Sequence, residues 1–165
     1  MAAPTPPDRW PKPEAALEDV IRWHLRAFGP AAADEVAAWI GWKSPPVRAA
    51  MDRLGLERLE DERGRPLYDV PGAPRPDPET EAPPRLLPAF DNVILAYAPG
   101  NRARILPDQY RDRLYQRANL QWLPAILVDG MVAGTWSRKS GLQPYTTLPQ
   151  RVMAELAAGL AQSPA

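Results

Sequence analysis

The chain has 165 residues, of which 45% are hydrophobic, and it carries 20 basic and 20 acidic side chains. This length suits one ordinary domain or two small ones, and a balanced charge does not favour a nucleic-acid binder, which usually has a basic excess. The absence of cysteine and the single histidine, His24, exclude a disulfide framework and thiolate or multi-histidine metal sites. With no glycine-rich phosphate loop either, we expect neither a metal nor a cofactor.

The hydropathy of the chain predicts a cytoplasmic protein without a membrane partner. No apolar run approaches the ~20 residues that a membrane-spanning helix needs, and the N-terminus lacks the basic and apolar regions of a secretory signal. Many of the 22 prolines cluster near positions 4–13 and 71–88, which indicates a tail and a linker. Basic side chains outnumber acidic ones only after residue 85, so a DNA-facing surface would depend on local clustering.

Three helices are predicted after a disordered lead-in over residues 1–15. Apolar residues at helical spacing indicate the first, Leu17–Phe28, which Gly29-Pro30 should end. The second runs over Ala32–Ile40. The third runs over Ser44–Leu54, with Ser44 as its N-cap and Pro45 in the first helical position.

A β-hairpin is predicted next, because apolar residues flank a polar turn over Asp61–Gly64. Three helices followed by a hairpin is the order of a winged helix-turn-helix, here assigned to residues 16–70. In such folds the third helix commonly enters the major groove. The predicted DNA contacts are therefore basic residues of the third helix and of the hairpin, namely Lys43, Arg48, Arg53, Arg63 and Arg65.

An alternative is that this unit packs against another domain and does not touch DNA. Asp52 on the same helix face and the acidic residues around the hairpin, such as Glu57, Glu60 and Glu62, favour this alternative. Basic groups on an exposed helix are often merely solvated, so both interpretations stay open.

A proline-rich linker is predicted over residues 71–85, followed by a β-rich, barrel-like domain with a C-terminal helix over residues 86–165. The apolar run Leu86–Tyr97 is interpreted as a strand, because β-branched and aromatic residues suit a pleated surface. In this run we expect Asp91 to make backbone hydrogen bonds and not to act as a site residue. The run Ala125–Trp136 is interpreted as a hairpin that turns at Asp129-Gly130, a pair typical of two-residue turns with positive φ.

The segment 107–120 is predicted to be partly helical and is dense in arginine, with interleaved tyrosines. Arginine binds phosphate in a bidentate manner, so this segment is a second candidate DNA surface; a solvated helix with internal ion pairs is the alternative. A further strand near Tyr145–Thr147 and a final helix from Pro149 should follow. The candidate contacts in this half of the chain are Arg102, Arg104, Arg111, Arg113, Arg117, Arg138 and Lys139.

The sequence resembles the C-terminal half of the winged-helix proteins that include bacterial DNA glycosylases of the AlkZ and YcaQ type. The resemblance is carried by LLPAFDNVILAY (Leu86–Tyr97), by the hairpin LVDG…GTW and by IRWHLRAFGPAAADEVAAWIG, and it covers about Leu17 to Leu160. It implies an α+β fold in which a winged helix-turn-helix is followed by a small β-barrel or antiparallel sheet domain and a C-terminal helix. It also implies double-stranded DNA as partner, and association with the nucleoid.

The catalytic signature of that family, Gln-aliphatic-Gln or Gln-aliphatic-Asp, is missing. The glutamines stand at positions 109, 116, 121, 143, 150 and 162, and none has Gln or Asp two residues later. No catalytic residue is therefore predicted, and the chain on its own is not expected to be an enzyme. It would be a truncated relative, a fragment or one part of a split gene.

Three functional hypotheses remain. The first is a DNA-binding module related to the glycosylases but without their chemistry. The second is part of a DNA-repair glycosylase for alkylated or crosslinked bases, active only with a missing N-terminal half. The third is a non-catalytic protein-interaction module.

Overall fold

The structure is a computed structural model and describes residues 11–162. Its contacts divide the chain into two units, Met1–Pro74 and Arg75–Ala165, which we call the N-terminal unit and the C-terminal unit. Most of the predicted lead-in, residues 1–15, lies outside the described residues. Its last residues, from Pro13 onward, already belong to a helix. None of the described helices is both long enough and apolar enough to cross a bilayer.

The N-terminal unit begins with the three predicted helices, α1 (Pro13–Phe28), α2 (Ala33–Ile40) and α3 (Ser44–Arg53). Helix α1 starts one turn earlier than its apolar stripe indicated, because a proline is well tolerated in the first turn of a helix. Glycines end the first two helices. The Gly29 amide donates to the Leu25 carbonyl at 2.8 Å, whereas Gly41 adopts a left-handed conformation with φ of 71°.

A hairpin follows, formed by β1 (Glu57–Glu60) and β2 (Pro66–Asp69), with Leu59 opposite Leu67. The hairpin was predicted, and its attachment to the helices is an additional finding. Tyr68 exchanges two backbone hydrogen bonds with Ala31, at 2.9 and 3.0 Å, so β2 is tied to the segment that enters α2. The core of the unit combines all three helices with Tyr68 of the hairpin. Its buried side chains include Ile21, Leu25, Val36, Val47, Ala50 and Met51.

The run Leu86–Tyr97 was predicted to be one strand, and this prediction is wrong. Strand β3 covers only Arg85–Leu87, and residues Asn92–Leu95 form a short helix, α4. Asp91 starts this helix: its carboxylate accepts a hydrogen bond from the Val93 amide at 2.8 Å. The backbone hydrogen bond predicted for Asp91 is confirmed. This cap starts a helix, although the residues that follow are of types that favour a strand. The local strand propensity is therefore overridden here.

The predicted hairpin at Asp129-Gly130 is confirmed. Strands β6 (Ala125–Val128) and β7 (Met131–Ser137) flank the pair, whose φ values are 50° and 71°, both positive as the mirror-type turn requires. Strand β8 (Gly141–Pro144) pairs with β7. The strand expected over Tyr145–Thr147 therefore lies a few residues earlier.

The segment 107–120 is less helical than predicted. It holds a single 3-10 turn and a four-residue helix, α5 (Arg111–Leu114), followed by a small hairpin of β4 (Tyr115–Gln116) and β5 (Gln121–Trp122). Leu114 is fully buried, and helix α5 ends there because the chain must turn to pair Tyr115 with Trp122. The high arginine content of the segment does not indicate where the helix ends.

The main sheet of the C-terminal unit is antiparallel and has the order β3-β6-β7-β8. In the described residues β3 and β8 are its two edges, so the barrel expected from the sequence does not close, whereas the antiparallel-sheet alternative holds. The final helix, α6 (Gln150–Gln162), begins where predicted and packs against β3 and β8 through a stripe that includes the buried Leu156. The architecture is thus α+β, as expected.

Candidate nucleic-acid interface

Helix α3 presents two of the predicted contacts at its exposed N-terminal end. Lys43 caps the helix through its backbone, and its side chain is exposed. Arg48 is exposed one turn later and borders a groove. Arg53, at the other end of α3, donates to the Ala49 carbonyl at 3.0 Å and lies 3.8 Å from a carboxylate oxygen of Glu18. The first two are therefore better placed than Arg53 to meet an external anion.

The groove beside Arg48 lies between α3 and the β1–β2 hairpin and has a volume of about 480 Å³. Its floor is a network of three side chains. Arg58 donates to Asp52 at 2.8 Å, Tyr68 donates its hydroxyl to the same carboxylate oxygen at 3.1 Å, and the Arg58 guanidinium lies 5.5 Å from the centre of the Tyr68 ring. The hydrogen bond to Asp52 raises the pKa of Arg58 above its usual value. The acidic residue that counted against DNA binding is thus paired with an arginine in the same groove.

Arg58 was missed in the sequence analysis. Strand alternation places Arg58 and Glu60 on one face of β1, and the register sets Arg58 opposite Tyr68. The alternation could have identified Arg58 as facing outward with Glu60. Its approach to Asp52 of α3 could not have been found, because that contact depends on how the hairpin folds against the helix.

Of the two predicted hairpin arginines, Arg65 is engaged inside the fold. Its guanidinium lies 3.1 Å from Asp61, 3.5 Å from the fully buried Glu35 and 3.8 Å from Asp34. Hydrogen bonds from the backbone amide of Arg65, then from its side chain, lower the pKa of Asp61. Arg65 therefore fastens the hairpin to α2.

Arg63 sits at the exposed tip of the same hairpin. Its backbone amide donates to Asp61 at 2.9 Å, which shapes the turn, and its side chain is exposed. Of these two arginines, Arg63 is the one whose side chain points into solvent.

In the C-terminal unit, Arg102 is also built into the fold. It donates to the carbonyls of Ile94 and Tyr97, at 3.1 and 2.9 Å, and its guanidinium lies 4.8 Å from the centre of the Trp122 ring. Burial lowers the pKa of Arg102, with a smaller contribution from the nearby charge of Arg111. The side chain joins α4 to the small β4–β5 hairpin.

The other arginines between positions 102 and 117 lie nearer the surface. Arg104 and Arg113 lie over the rings of Tyr97 and Tyr145, at 5.3 and 3.9 Å. Arg111 donates to the Pro99 carbonyl at 3.0 Å. The remaining arginine of the segment is Arg117, which lies 3.0 Å from Asp112 in an ion pair whose two side chains are 76% and 74% exposed.

The last two predicted contacts occupy the turn between β7 and β8. Arg138 and Lys139 are both exposed there, and the turn is closed by Ser140, whose amide donates to the Ser137 hydroxyl at 2.9 Å. The structure thus brings these two side chains together at one sheet end. No group of three or more His, Cys, Asp or Glu side chains in residues 11–162 is arranged to hold a metal ion.

These features define a class: an α+β protein with antiparallel sheets and exposed basic side chains on a helix, a hairpin tip and a sheet turn. The same fold occurs in the solved structure of Streptomyces sahachiroi DNA glycosylase AlkZ, with a TM-score of 0.74 and 23% identity over 93% of this chain and 45% of that one.

A family model described as DNA glycosylase AlkZ-like matches residues 2–163, and the chain belongs to this family. The resemblance inferred from the sequence is confirmed. The chain is also 30% identical, over 137 residues, to an interstrand DNA cross-link repair glycosylase of Streptomyces sahachiroi; the match covers 78% of this chain and 36% of the relative. The chain therefore spans less than half of the length of each of these two relatives.

Proposed function

We propose that this chain is a duplex-DNA-binding module in which residues 16–70 form a winged helix, with α3 as the recognition helix and β1–β2 as the wing. A proline-rich linker (71–85) and the β-rich domain (86–165) complete it. The observation that carries the proposal is the exposed basic pair at the N-terminal end of α3, the N-cap Lys43 and Arg48, of which Arg48 lines a groove together with Arg58. Membership of a DNA glycosylase family supports it.

The proposed contacts form two groups. In the N-terminal unit, Arg48 and Arg58 line the groove. The other proposed contacts of this unit are Lys43 and Arg53 at the two ends of α3, and Arg63 at the hairpin tip. In the C-terminal unit the contacts are the basic turn and the surface arginines, namely Arg104, Arg111, Arg113, Arg117, Arg138 and Lys139. Such side chains supply sequence-independent affinity by neutralising phosphates and releasing counterions. Arg65 and Arg102 support these surfaces from within the fold.

The test is the salt dependence of duplex binding, measured by fluorescence anisotropy on a labelled duplex of about 20 base pairs, the scale of a multi-contact site. Replacing Lys43 and Arg48 with glutamine should weaken binding about 10-fold and reduce the slope of log K against log salt by about 2, one for each lost phosphate contact. Arg26→Gln, which removes an exposed arginine from the last turn of α1, is the matched control and should bind like the wild type.

Two results would contradict the proposal. If the wild type binds no duplex even at low salt, the protein-interaction hypothesis replaces it. If the double variant and Arg26→Gln weaken binding equally, α3 is not the recognition element.

A second function is favoured by the 30% identity to the cross-link repair glycosylase. In this version the module is part of a glycosylase for alkylated or crosslinked bases and acts in repair at the nucleoid, with its chemistry supplied by a separate N-terminal half. Mixing the chain with such a half and DNA containing an alkylated purine should produce alkali-sensitive abasic sites. The half alone should produce far fewer, and equal yields with and without this chain would exclude this role.

A further inference from the structure

Leu120, at the tip of the β4–β5 hairpin, combines two unfavourable properties. Its side chain is 67% exposed, which makes it the most exposed of the large hydrophobic residues described. Its backbone has φ of 57°, in the left-handed region. Leucine gains nothing from either, because its Cβ crowds the backbone there and its side chain meets only water. Asparagine or glycine would serve a turn better.

The turn itself is held in place by polar side chains on both sides of Leu120. The side-chain oxygen of Asn119, Oδ1, accepts a hydrogen bond from the Gln121 backbone amide at 3.2 Å, and this bond spans Leu120. The Asn119 amide group also donates to Gln116 at 3.3 Å. The leucine is therefore held outward by an ordered turn.

The base of the hairpin is anchored to the unit's core. The rings of Tyr115 and Trp122, paired across the two strands, lie 4.7 Å apart, and Arg102 covers Trp122. The Leu123 amide donates to the carbonyl of the fully buried Leu114 at 3.0 Å. Because the base of the hairpin is fixed, its tip can contact a partner without the hairpin bending back.

We infer that Leu120 is an apolar wedge that enters the base stack of bound duplex DNA. The inference rests on the proposed function, because it needs a duplex in place. A single leucine surrounded by Gln116, Asn119 and Gln121 is too small for an apolar protein interface, which buries a continuous patch. It does match the space that opens at one base step, where proteins insert Leu, Ile, Phe or Met to unstack two bases.

The neighbouring side chains suit the same partner. The amide groups of Gln116 and Gln121 can donate to and accept from base edges. Arg117 is exposed and pairs with the equally exposed Asp112, so a phosphate can displace that carboxylate at little cost. An apolar side chain, polar amide groups and a cation thus lie together on the β4–β5 hairpin, between Tyr115 and Trp122.

Base unstacking can be measured with duplexes that carry 2-aminopurine, whose fluorescence rises when it leaves the stack. Saturating wild-type protein should raise the signal at one step of the duplex. Leu120→Met, which keeps an apolar wedge, should preserve the rise. Leu120→Asn, which suits the left-handed turn better, should abolish it while weakening duplex binding by roughly 5-fold, the scale of one lost wedge contact.

Thermal unfolding of the same variants separates a functional from a structural role. Leu120→Asn should melt at the same temperature as the wild type or higher, because it relieves the left-handed leucine. An unchanged fluorescence rise in Leu120→Asn overturns the inference, and so does a lost rise with a lower melting temperature. Wild-type binding without any unstacking overturns the wedge alone, whereas no wild-type binding overturns the proposed function and the wedge together.

Discussion

The two units use ionisable side chains differently. The N-terminal unit buries His24, Glu35 and Asp69 almost completely, and Arg65 reaches the buried Glu35. In the C-terminal unit the only buried polar side chain among the described residues is Thr135, and the innermost arginine, Arg102, is satisfied by backbone carbonyls and an aromatic ring. The stability of the first unit should therefore depend on charge states, and that of the second on packing and neutral hydrogen-bond acceptors.

The largest expected effect on the difference between the two units comes from replacing Arg65. Arg65→Met should lower the free energy of unfolding by about 3 kcal/mol, because the buried Glu35 carboxylate loses its cation. Urea unfolding followed by tryptophan fluorescence measures the loss. Adding Glu35→Gln to the variant should restore more than half of it, since a neutral amide needs no counter-charge. Arg58→Met, at an exposed ion pair, should cost far less than Arg65→Met. Equal losses for Arg65→Met and Arg58→Met would contradict the buried-charge explanation.

The next largest effect comes from acid. Burial lowers the pKa of His24 to about 4; its ring lies 5.4 Å from Phe28 and 5.0 Å from Trp39, and neither of its nitrogens has a hydrogen-bond partner in the described residues. Since the unfolded chain binds this proton near pH 6.5, the stability that His24 contributes is complete above that pH. It declines as the pH falls toward 4, and the loss reaches about 2 kcal/mol at pH 5.

His24 is the one histidine of the chain, so a single variant isolates its effect. In His24→Leu the difference in unfolding free energy between pH 7 and pH 5 should shrink by that amount. Identical pH dependence in the variant and the wild type would show that the folded protein binds this proton as readily as the unfolded chain, and would contradict the lowered pKa of His24.

The smallest effects sharpen the comparison inside the C-terminal unit. Arg102→Met should cost about 1.5 kcal/mol, because it removes two hydrogen bonds to carbonyls and the contact with Trp122. Arg117→Gln should change stability by less than about 0.5 kcal/mol, since its ion pair is exposed, yet it should weaken duplex binding. Thermal melts and anisotropy on both variants provide the measurement. A large stability loss in Arg117→Gln would remove it from the proposed DNA surface.

Periodic and turn-forming patterns in the sequence predicted much of the fold. Helical spacing identified α1 to α3 and α6, and Asp129-Gly130 identified its hairpin, because these signals are local. The run Leu86–Tyr97 was misinterpreted, since a short apolar run does not by itself distinguish strand from buried helix. There the Asp91 cap decides the outcome.

The site was less predictable than the fold, because it depends on contacts between distant residues. Arginines were identified by their charge, but nothing in the sequence shows that Arg65 meets the buried Glu35 or that Arg58 meets Asp52 of α3. Those partners lie 30 and 6 positions away, on other elements of the N-terminal unit.

Gly134 lies in the middle of β7, close to the backbone of β8. A β-carbon at this position would come within 2.7 Å of the Gln143 carbonyl oxygen and of the Pro144 Cα, both backbone atoms of β8. Even alanine at this position would push β8 away from β7. It would thereby shift the turn between Ser137 and Gly141, which carries Arg138 and Lys139. The position of those two cations therefore depends on an uncharged residue of the neighbouring strand.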